Sequence, residues 1–378
     1  MSLPPAERLA RLRLARTEGV GPVTYRQLLA RHGSARAAMA ETTRSWLPAA
    51  EAEAELEAAA AAGARHVLLG EADYPPLLAE LADPPPLLLI AGDAALAARP
   101  VVALVGARNA SAAGRALAFE LAQALGEAGW VVASGLARGI DAQAHRGALP
   151  TGTIACVAGG VDIAYPPENA ALQDEIAAGG LLLSELPPGT EPQARHFPRR
   201  NRLIAGVARG LVVIEAASGS GSLITARLAG EAGREVMAVP GHPKDPRSSG
   251  GNNLIRQGAT LVETADDILA ALSPFAVVAR AERPAPRSAR ASPRSAGASP
   301  RSVGTSPRRA TASPRSAAPC ADGSEGGLLE FLSVSGVAVD EVVRASGLPV
   351  SAVQAALADM EIEGRVVRLA GGKVARVA

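Results

Sequence analysis

Hydrogen-bonding cationic side chains are concentrated in one short segment, residues 196–206, whose sequence is HFPRRNRLIAG. The segment contains no aspartate or glutamate, and it leads into the apolar residues 211–214, which predict a buried parallel strand. A helix that presents unneutralised guanidinium groups beside a sheet is suited to bind phosphate. A solvated basic face is the alternative that this segment alone leaves open. The side chains concerned are those of Arg199, Arg200, Asn201 and Arg202.

Three predicted strands end in small residues at the point where a helix begins. The strands and the residues that follow them are 101–105 with Gly106 and Arg108, 130–133 with Gly135 and Arg138, and 211–214 with Gly219, Gly221 and Ser222. Backbone N–H groups and the positive ends of the helices therefore face the same edge of the sheet. We expect anions to bind at that edge.

Each of these residues has a predicted role if the anion is phosphate. Phosphate contacts are assigned to Arg108, Arg138, Arg199, Arg200 and Arg202. Asn201 and Ser222 are predicted hydrogen-bonding partners, and Gly106, Gly135, Gly219 and Gly221 are predicted to allow close approach of the backbone. We expect Arg108 and Arg200 to project into solvent. Asp141 and Glu215, each near the end of a predicted strand, are interpreted as helix caps or ion-pair partners, so no catalytic residue is assigned.

Five strings occur in an order and spacing that resemble the DprA family, also called Smf or DNA-processing protein A. The strings are VGAR (105–108), SGLARGID (134–141), residues 198–206, SGSLITA (220–226) and VPG (239–241). The resemblance covers residues 70–270 closely and the flanking segments loosely. It implies sequence-independent binding of single-stranded DNA, loading of the RecA recombinase during natural transformation, and self-association as a homodimer. It also implies that the arginine of the Gly-x-Arg string, Arg108, lines the DNA pocket.

The composition limits how a nucleic acid could be bound. The formal net charge is only +1, so a basic surface must be local. Aromatic residues make up 2% of the chain, too few for a platform on which successive bases stack. Phe197 and Tyr165 are the rings expected near the site. For Cys156 and Cys320 no disulfide or metal-ligand spacing exists, and no apolar run reaches the roughly 18 residues that cross a membrane. We therefore expect a soluble, cytoplasmic protein without metal or cofactor.

The chain is predicted to form three folded regions and one linker. Residues 1–70 are predicted to be helical, with a turn at 19–22 typical of SAM or helix-hairpin-helix modules; an ordinary helix corner is the alternative. Residues 71–275 alternate strands and helices, which predicts an α/β, Rossmann-like, doubly wound and mostly parallel sheet, with an extra edge strand at 87–90. Residues 276–322 carry proline every seven residues and predict a disordered linker.

A winged helix is predicted for the fourth segment, residues 323–378. Three short helices are followed by a hairpin around Gly371-Gly372. The third helix carries Asp359, Glu361 and Glu363, which makes it a poor surface for a DNA groove. The role of this domain is therefore left open.

A nucleotide- or NAD-binding Rossmann enzyme is the alternative function. The first strand-to-helix turn, residues 106–111, lacks the second glycine of a dinucleotide fingerprint, and Arg108 stands where a pyrophosphate would approach. No Walker sequence occurs. The nucleotide N-glycosidases of the lysine-decarboxylase-like group have a similar glycine-rich loop, but theirs continues with a threonine and a catalytic glutamate. Here residues 223–225 are Leu-Ile-Thr, so the acid is missing.

Overall fold

The computed structural model of the chain describes residues 3–273 and, beyond them, residues 337–338, 342–343, 353, 357, 360, 366–369 and 373–376. The chain divides into two compact units, Met1–Arg287 and Ser288–Ala378. The predicted linker at 276–322 lies outside the described residues. Among the described residues, no helix combines the length and the apolar character needed to cross a membrane.

A helical module forms the start of the first unit. Its helices are α1 (Pro5–Arg16), α2 (Pro22–His32), α3 (Ala35–Glu41) and α4 (Ala49–Ala61). The predicted turn between α1 and α2 is present, and Gly19 adopts a positive φ of 73° there. Leu14, Tyr25 and Ala35 are almost completely buried and hold α1, α2 and α3 together.

A nine-stranded sheet follows, in the order β1-β2-β6-β5-β4-β3-β7-β8-β9. The strands are β1 (Arg65–Leu68), β2 (Leu87–Gly92), β3 (Val101–Val105), β4 (Val131–Ser134), β5 (Thr153–Cys156), β6 (Leu181–Ser184), β7 (Gly210–Val213), β8 (Glu235–Ala238) and β9 (Thr260–Leu261). Strands β3 to β9 pair in parallel, whereas β2 pairs antiparallel with β1 and β6. The predicted Rossmann-like, mostly parallel α/β fold is confirmed.

Strand β1 corrects two predictions. Residues 65–68 were predicted to be helical with the rest of 1–70, but they pair with β2. Because β1 is outermost, residues 87–90 belong to the second strand and not to the edge. Val67 and Leu68 are buried in clusters with residues distant in sequence, so a short window of sequence does not reveal that they form a strand.

Helices cover both faces of the sheet. They are α5 (Pro76–Ala79), α6 (Ala112–Glu127), α7 (Ile140–Ala148), α8 (Ala170–Gly179), α9 (His196–Val207), α10 (Gly221–Glu231), α11 (Ser249–Arg256) and α12 (Ala265–Leu272). Residues of α9 and α10, including Leu203 and Ala226, belong to one buried cluster. Residues of α6, α7 and α12, including Leu125, Ile140 and Ile268, belong to another. Burial on both faces explains why β3 and β7 are apolar throughout.

The strand order places three strand ends side by side. From β3 the chain proceeds through β4 and β5 to β6 in one direction, and then returns to β7 on the other side of β3. The carboxyl ends of β4, β3 and β7 are therefore adjacent. The point where the order reverses, between β3 and β7, is where doubly wound sheets bind ligands.

The described part of the second unit contains a three-stranded antiparallel sheet. Its strands are β10 (Val337–Ala338), β11 (Val366–Leu369) and β12 (Lys373–Arg376), in the order β10-β12-β11. Val353, Leu357 and Met360 are helical and buried. The pairing of β11 with β12 is the hairpin that the sequence predicts around Gly371-Gly372.

Candidate nucleic-acid interface

An open basin with a volume of about 760 Å³ lies where the loops after β3, β4 and β7 meet α9. We use the name "basin" for this cavity. It collects these predicted site residues: Gly106, Arg108, Arg200, Asn201, Gly219, Gly221 and Ser222. Most of the residues that the sequence assigns to one sheet edge therefore line one surface.

The N-terminus of α10 faces the basin. Its cap is Ser220, whose hydroxyl accepts a hydrogen bond from the Ser222 N–H at 3.3 Å. Gly221 and Ser222 both line the cavity. The free N–H groups of a first helical turn attract anions, so this end of the basin favours negative charge.

Glu215 joins the loop after β7 to the loop after β3. One carboxylate oxygen accepts a hydrogen bond from the Ser111 N–H at 2.9 Å, and the other accepts one from the Ser111 hydroxyl at 2.6 Å. Ser111 in turn caps α6 by accepting from the Gly114 N–H at 2.8 Å. Glu215 is thus a structural partner of the residue that caps α6, and it holds the loop that carries Arg108.

Arg200 forms part of the floor of the basin and is 6% exposed. Its closest acid is Asp141, with 4.0 Å between a guanidinium nitrogen and a carboxylate oxygen. Its Nε–H has no hydrogen-bond partner in the part of the chain that the structure describes. Burial lowers the pKa of Arg200. The expectation that this side chain projects into solvent is wrong, because α9 turns it inward against the β4 loop.

Asp141 is the buried counterpart of Arg200 and is 5% exposed. Burial raises the pKa of this carboxyl group, which also accepts hydrogen bonds from the N–H groups of Gly135 at 3.2 Å and Ala137 at 3.4 Å. The Asp141 carboxylate therefore accepts hydrogen bonds from the backbone of the β4 loop, while the Arg200 guanidinium lies at the limit of ion-pair distance from it. This leaves Arg200 only partly neutralised.

Two rings stand beside the basin. The Arg108 guanidinium lies over the Phe197 ring at 5.2 Å from its centroid, and the Arg200 guanidinium lies 5.9 Å from it. The Tyr165 and Phe197 centroids are 5.7 Å apart. These rings, with Pro166 and other apolar groups, line an adjoining cavity of about 110 Å³, which we call the side pocket.

His145 stabilises the β4 loop from beneath. Its Nε2 accepts a hydrogen bond from the Leu136 N–H at 3.3 Å, and its Nδ1 lies 2.7 Å from the Thr153 hydroxyl, which donates to the Val132 carbonyl. Nδ1–H is therefore the donor of the His145–Thr153 hydrogen bond. Burial, with a smaller contribution from the charge of Arg200, lowers the pKa of His145 to about 3. This imidazole is neutral at physiological pH.

Three of the predicted arginines lie away from the basin. Arg138 is exposed, lines the side pocket and forms an ion pair with Glu168. Arg199 is exposed and lines a separate small cleft, together with Glu185 and His196. Arg202 forms ion pairs with Glu185 and Asp83.

The helical period explains which arginines of α9 reach the basin. Phe197, Arg200, Asn201 and Ile204 are spaced three or four residues apart and line the basin together. Arg199 and Arg202 fall between these positions. Residues 196–206 contain no acid, but the fold brings Glu185, which lies outside this segment, next to Arg202.

The predicted glycines divide into two kinds. A Cβ at Gly106 would collide with Ile140, and a Cβ at Gly135 would overlap the Arg200 guanidinium. Gly219 and Gly221 face open space. Packing inside the protein requires the first two glycines, and only Gly219 and Gly221 leave room for a ligand backbone.

Arg247 is a basin residue that the sequence analysis missed. It lies in the segment between β8 and α11, and its guanidinium is held by Asp245 through hydrogen bonds of 2.9 and 3.1 Å. Because β8 neighbours β7 in the sheet, Arg247 reaches the same edge. Its position after a predicted strand, in Asp245-Pro246-Arg247, was the signal that could have found it.

The comparisons with known proteins agree with this architecture. The model of a family described as DNA recombination-mediator protein A matches residues 65–273. Models described as a DprA-like N-terminal HHH domain and a DprA winged helix domain match residues 5–63 and 311–372. The chain belongs to the DprA/Smf family. The predicted family, the helix-hairpin-helix character of the N-terminal module and the winged helix are confirmed, and the family is one of DNA-processing proteins.

Relatives and solved structures show how far the likeness extends. The DNA processing protein DprA of Bacillus subtilis is 42% identical over 209 residues, which are 54% of this chain and 70% of the relative. The Streptococcus pneumoniae DprA is 47% identical over 199 residues, covering 52% and 70%. Its X-ray structure matches with a TM-score of 0.60 at 34% identity, over 71% of this chain and 98% of that one.

A second structure concerns DNA directly. It is that of the Helicobacter pylori DNA processing protein A, reported for its single-stranded DNA binding mode. It matches with a TM-score of 0.51 at 30% identity, over 56% of this chain and 96% of that one.

Proposed function

We propose that this protein binds single-stranded DNA in the basin, without regard to base sequence, and loads RecA onto it during recombination. The observation that carries the binding proposal is Arg200, a buried guanidinium on the basin floor with an unpartnered Nε–H and only a distant acid. An uncompensated buried cation costs free energy, and a phosphate in the basin would reduce that cost.

The basin offers the DNA backbone several kinds of contact. Arg108 and Arg247 present guanidinium groups from loops beside the cavity, and the N-terminus of α10 presents N–H groups. Gly219 and Gly221 leave space for a sugar-phosphate chain. Because phosphates carry no sequence information, binding of this kind does not distinguish bases.

The side pocket is suited to a base turned away from the backbone. Phe197 and Tyr165 supply aromatic surface, and Pro166 supplies apolar surface. A few rings in one pocket can stack with one or two bases but cannot form a continuous platform. Phosphate contacts therefore provide most of the affinity.

The RecA and homodimer proposals rest on the family to which the chain belongs. The measurement for RecA is the rate at which RecA forms filaments on DNA coated with a single-strand-binding protein. Addition of this protein should raise that rate. Sedimentation at micromolar concentration should give the mass of a dimer.

Arg108→Ala tests the proposed basin. Loss of one phosphate contact should weaken binding to an oligonucleotide and flatten the slope of log affinity against log salt by about 0.7. Arg227→Ala is the matched control, because Arg227 is 69% exposed and pairs with Glu231 on α10. It should leave both quantities unchanged.

Two results would contradict the proposal. A folded Arg108→Ala protein with wild-type affinity and slope would show that the strand binds elsewhere. Saturable binding of NAD or a free nucleotide, without binding of oligonucleotides, would favour the alternative Rossmann enzyme.

A further inference from the structure

Arg202 uses its guanidinium donors within the protein. Its Nε donates to Glu185 Oε2 at 3.2 Å, one terminal nitrogen pairs with the same carboxylate, and the other donates to the Asp83 carbonyl at 2.8 Å. The side chain is 16% exposed and lies off the basin face of α9. Arg202 therefore attaches α9 to two neighbouring segments.

Glu185 connects that attachment to the N-terminal module. It follows β6 directly, and its side chain is 8% exposed. Its backbone carbonyl accepts a hydrogen bond from an Arg16 terminal nitrogen at 2.6 Å. Arg16, at the end of α1, is held by the Glu55 carboxylate of α4 at 2.8 Å. A continuous series of largely buried contacts thus runs from α4 through α1 to α9.

The module also contacts the second segment that holds Arg202. Arg26 of α2 donates to the Ala82 carbonyl at 2.5 Å. Asp83, the next residue, pairs with Arg202 at 3.2 Å. Both attachments of Arg202 are therefore themselves attached to the helical module.

We propose that the N-terminal helical module braces α9 through Arg16, Glu185 and Arg202, and so sets the position of Phe197 and Arg200 in the basin. These three residues are positioning residues for single-stranded DNA, and none of them contacts phosphate. Since α9 is one continuous helix, a rotation permitted at Arg202 moves the basin face as well. The inference rests on the proposed function of the basin.

The experiment measures affinity for an oligothymidylate across a salt series, with the full-length chain. Arg16→Gln and Glu185→Gln should each weaken binding by about tenfold and leave the salt slope unchanged, because no phosphate contact is lost. The double variant should be no weaker than the worse single variant, because both changes break one connection. Hydrogen exchange of the α9 amides should rise in both single variants.

Arg8→Gln is the matched control. Arg8 also fastens α1 to the sheet, through Glu71 and the His66 carbonyl, but it has no contact with Glu185 or Arg202 among the described residues. This variant should retain wild-type affinity and wild-type exchange in α9. If Arg8→Gln weakens binding as much as Arg16→Gln, general loosening of the module is the cause and the bracing proposal fails.

Three further results would overturn the bracing proposal or the proposed basin. Wild-type affinity in folded Arg16→Gln protein overturns the proposal even if Glu185→Gln does not fold. A salt slope flattened by about 0.7 in Arg16→Gln would make Arg16 a phosphate contact. If Arg108→Ala is also silent, the proposed basin itself has failed; if Arg108→Ala behaves as expected, only the bracing fails.

Discussion

The two sides of α9 carry the same residue type in opposite circumstances. On the basin side, Arg200 is buried with an incomplete set of partners and an acid at 4.0 Å. On the other side, Arg202 is held by Glu185 and Asp83. The difference shows that tertiary partners, and not the residue type, decide how completely the donors of an arginine on α9 are satisfied within the protein. The same segment of sequence therefore provides both a proposed binding group, Arg200, and a structural attachment, Arg202.

The largest expected effect is a difference in stability between variants of Arg202 and Arg200. Arg202→Met should lower the free energy of unfolding by about 3 kcal/mol, because the buried Glu185 carboxylate loses its partner. Arg200→Met should lower it by only about 1 kcal/mol, because the burial of Arg200 was poorly compensated and Asp141 keeps its backbone donors. Urea denaturation followed by circular dichroism measures both.

The salt dependence of DNA binding should rank the same pair in reverse. Arg200→Met should flatten the salt slope by about 0.7, whereas Arg202→Met should leave it unchanged. A greater loss of stability in Arg200→Met than in Arg202→Met would show that the distant Asp141 neutralises Arg200 fully, and the contrast between the two faces would be wrong.

A smaller effect is expected from the glycine beneath Arg200. The Cβ introduced by Gly135→Ala would take the place of the Arg200 guanidinium and push it toward the basin. We expect a loss of about 1–2 kcal/mol in unfolding free energy and weaker oligonucleotide binding. Gly221→Ala is the control for stability, since its Cβ meets nothing, and its unfolding free energy should stay within about 0.5 kcal/mol of wild type. Equal stability of the two variants would contradict the packing role of Gly135.

The smallest effect concerns exposed acids. Glu168 pairs with Arg138 beside the side pocket, and Asp83 pairs with Arg202 away from it. Glu168→Gln should raise oligonucleotide affinity by about twofold at low salt, because it removes a negative charge and frees Arg138. Asp83→Asn should change the affinity little, because the backbone carbonyl of residue 83 and the Glu185 carboxylate still hold Arg202. An increase with Asp83→Asn equal to that with Glu168→Gln would indicate that overall charge, and not position, controls binding.

Much of the site could be predicted, for a specific physical reason. In a parallel sheet the residues after each strand must lie at one edge, so Arg108, Gly135, Gly219 and Ser222 could be assigned together from strand-to-loop patterns. Arg247 follows the same rule but was overlooked because its strand, β8, was not included in the pattern. The sequence analysis treated consecutive residues of α9 as one face, whereas Arg199 and Arg202 lie off the period of Phe197, Arg200 and Asn201 and do not line the basin.

The amino-acid order alone determines the class of the fold, the family, the helical module before the sheet and the hairpin around Gly371-Gly372, because periodicity, glycine placement and turn chemistry are local properties. Only the tertiary structure decides that Glu185 neutralises Arg202, that Arg200 is buried with an unpartnered Nε–H, and that residues 65–68 form a strand. Each depends on a residue or strand distant in sequence. Whether a charge is free or satisfied depends on such distant partners, so this property is not contained in any local segment.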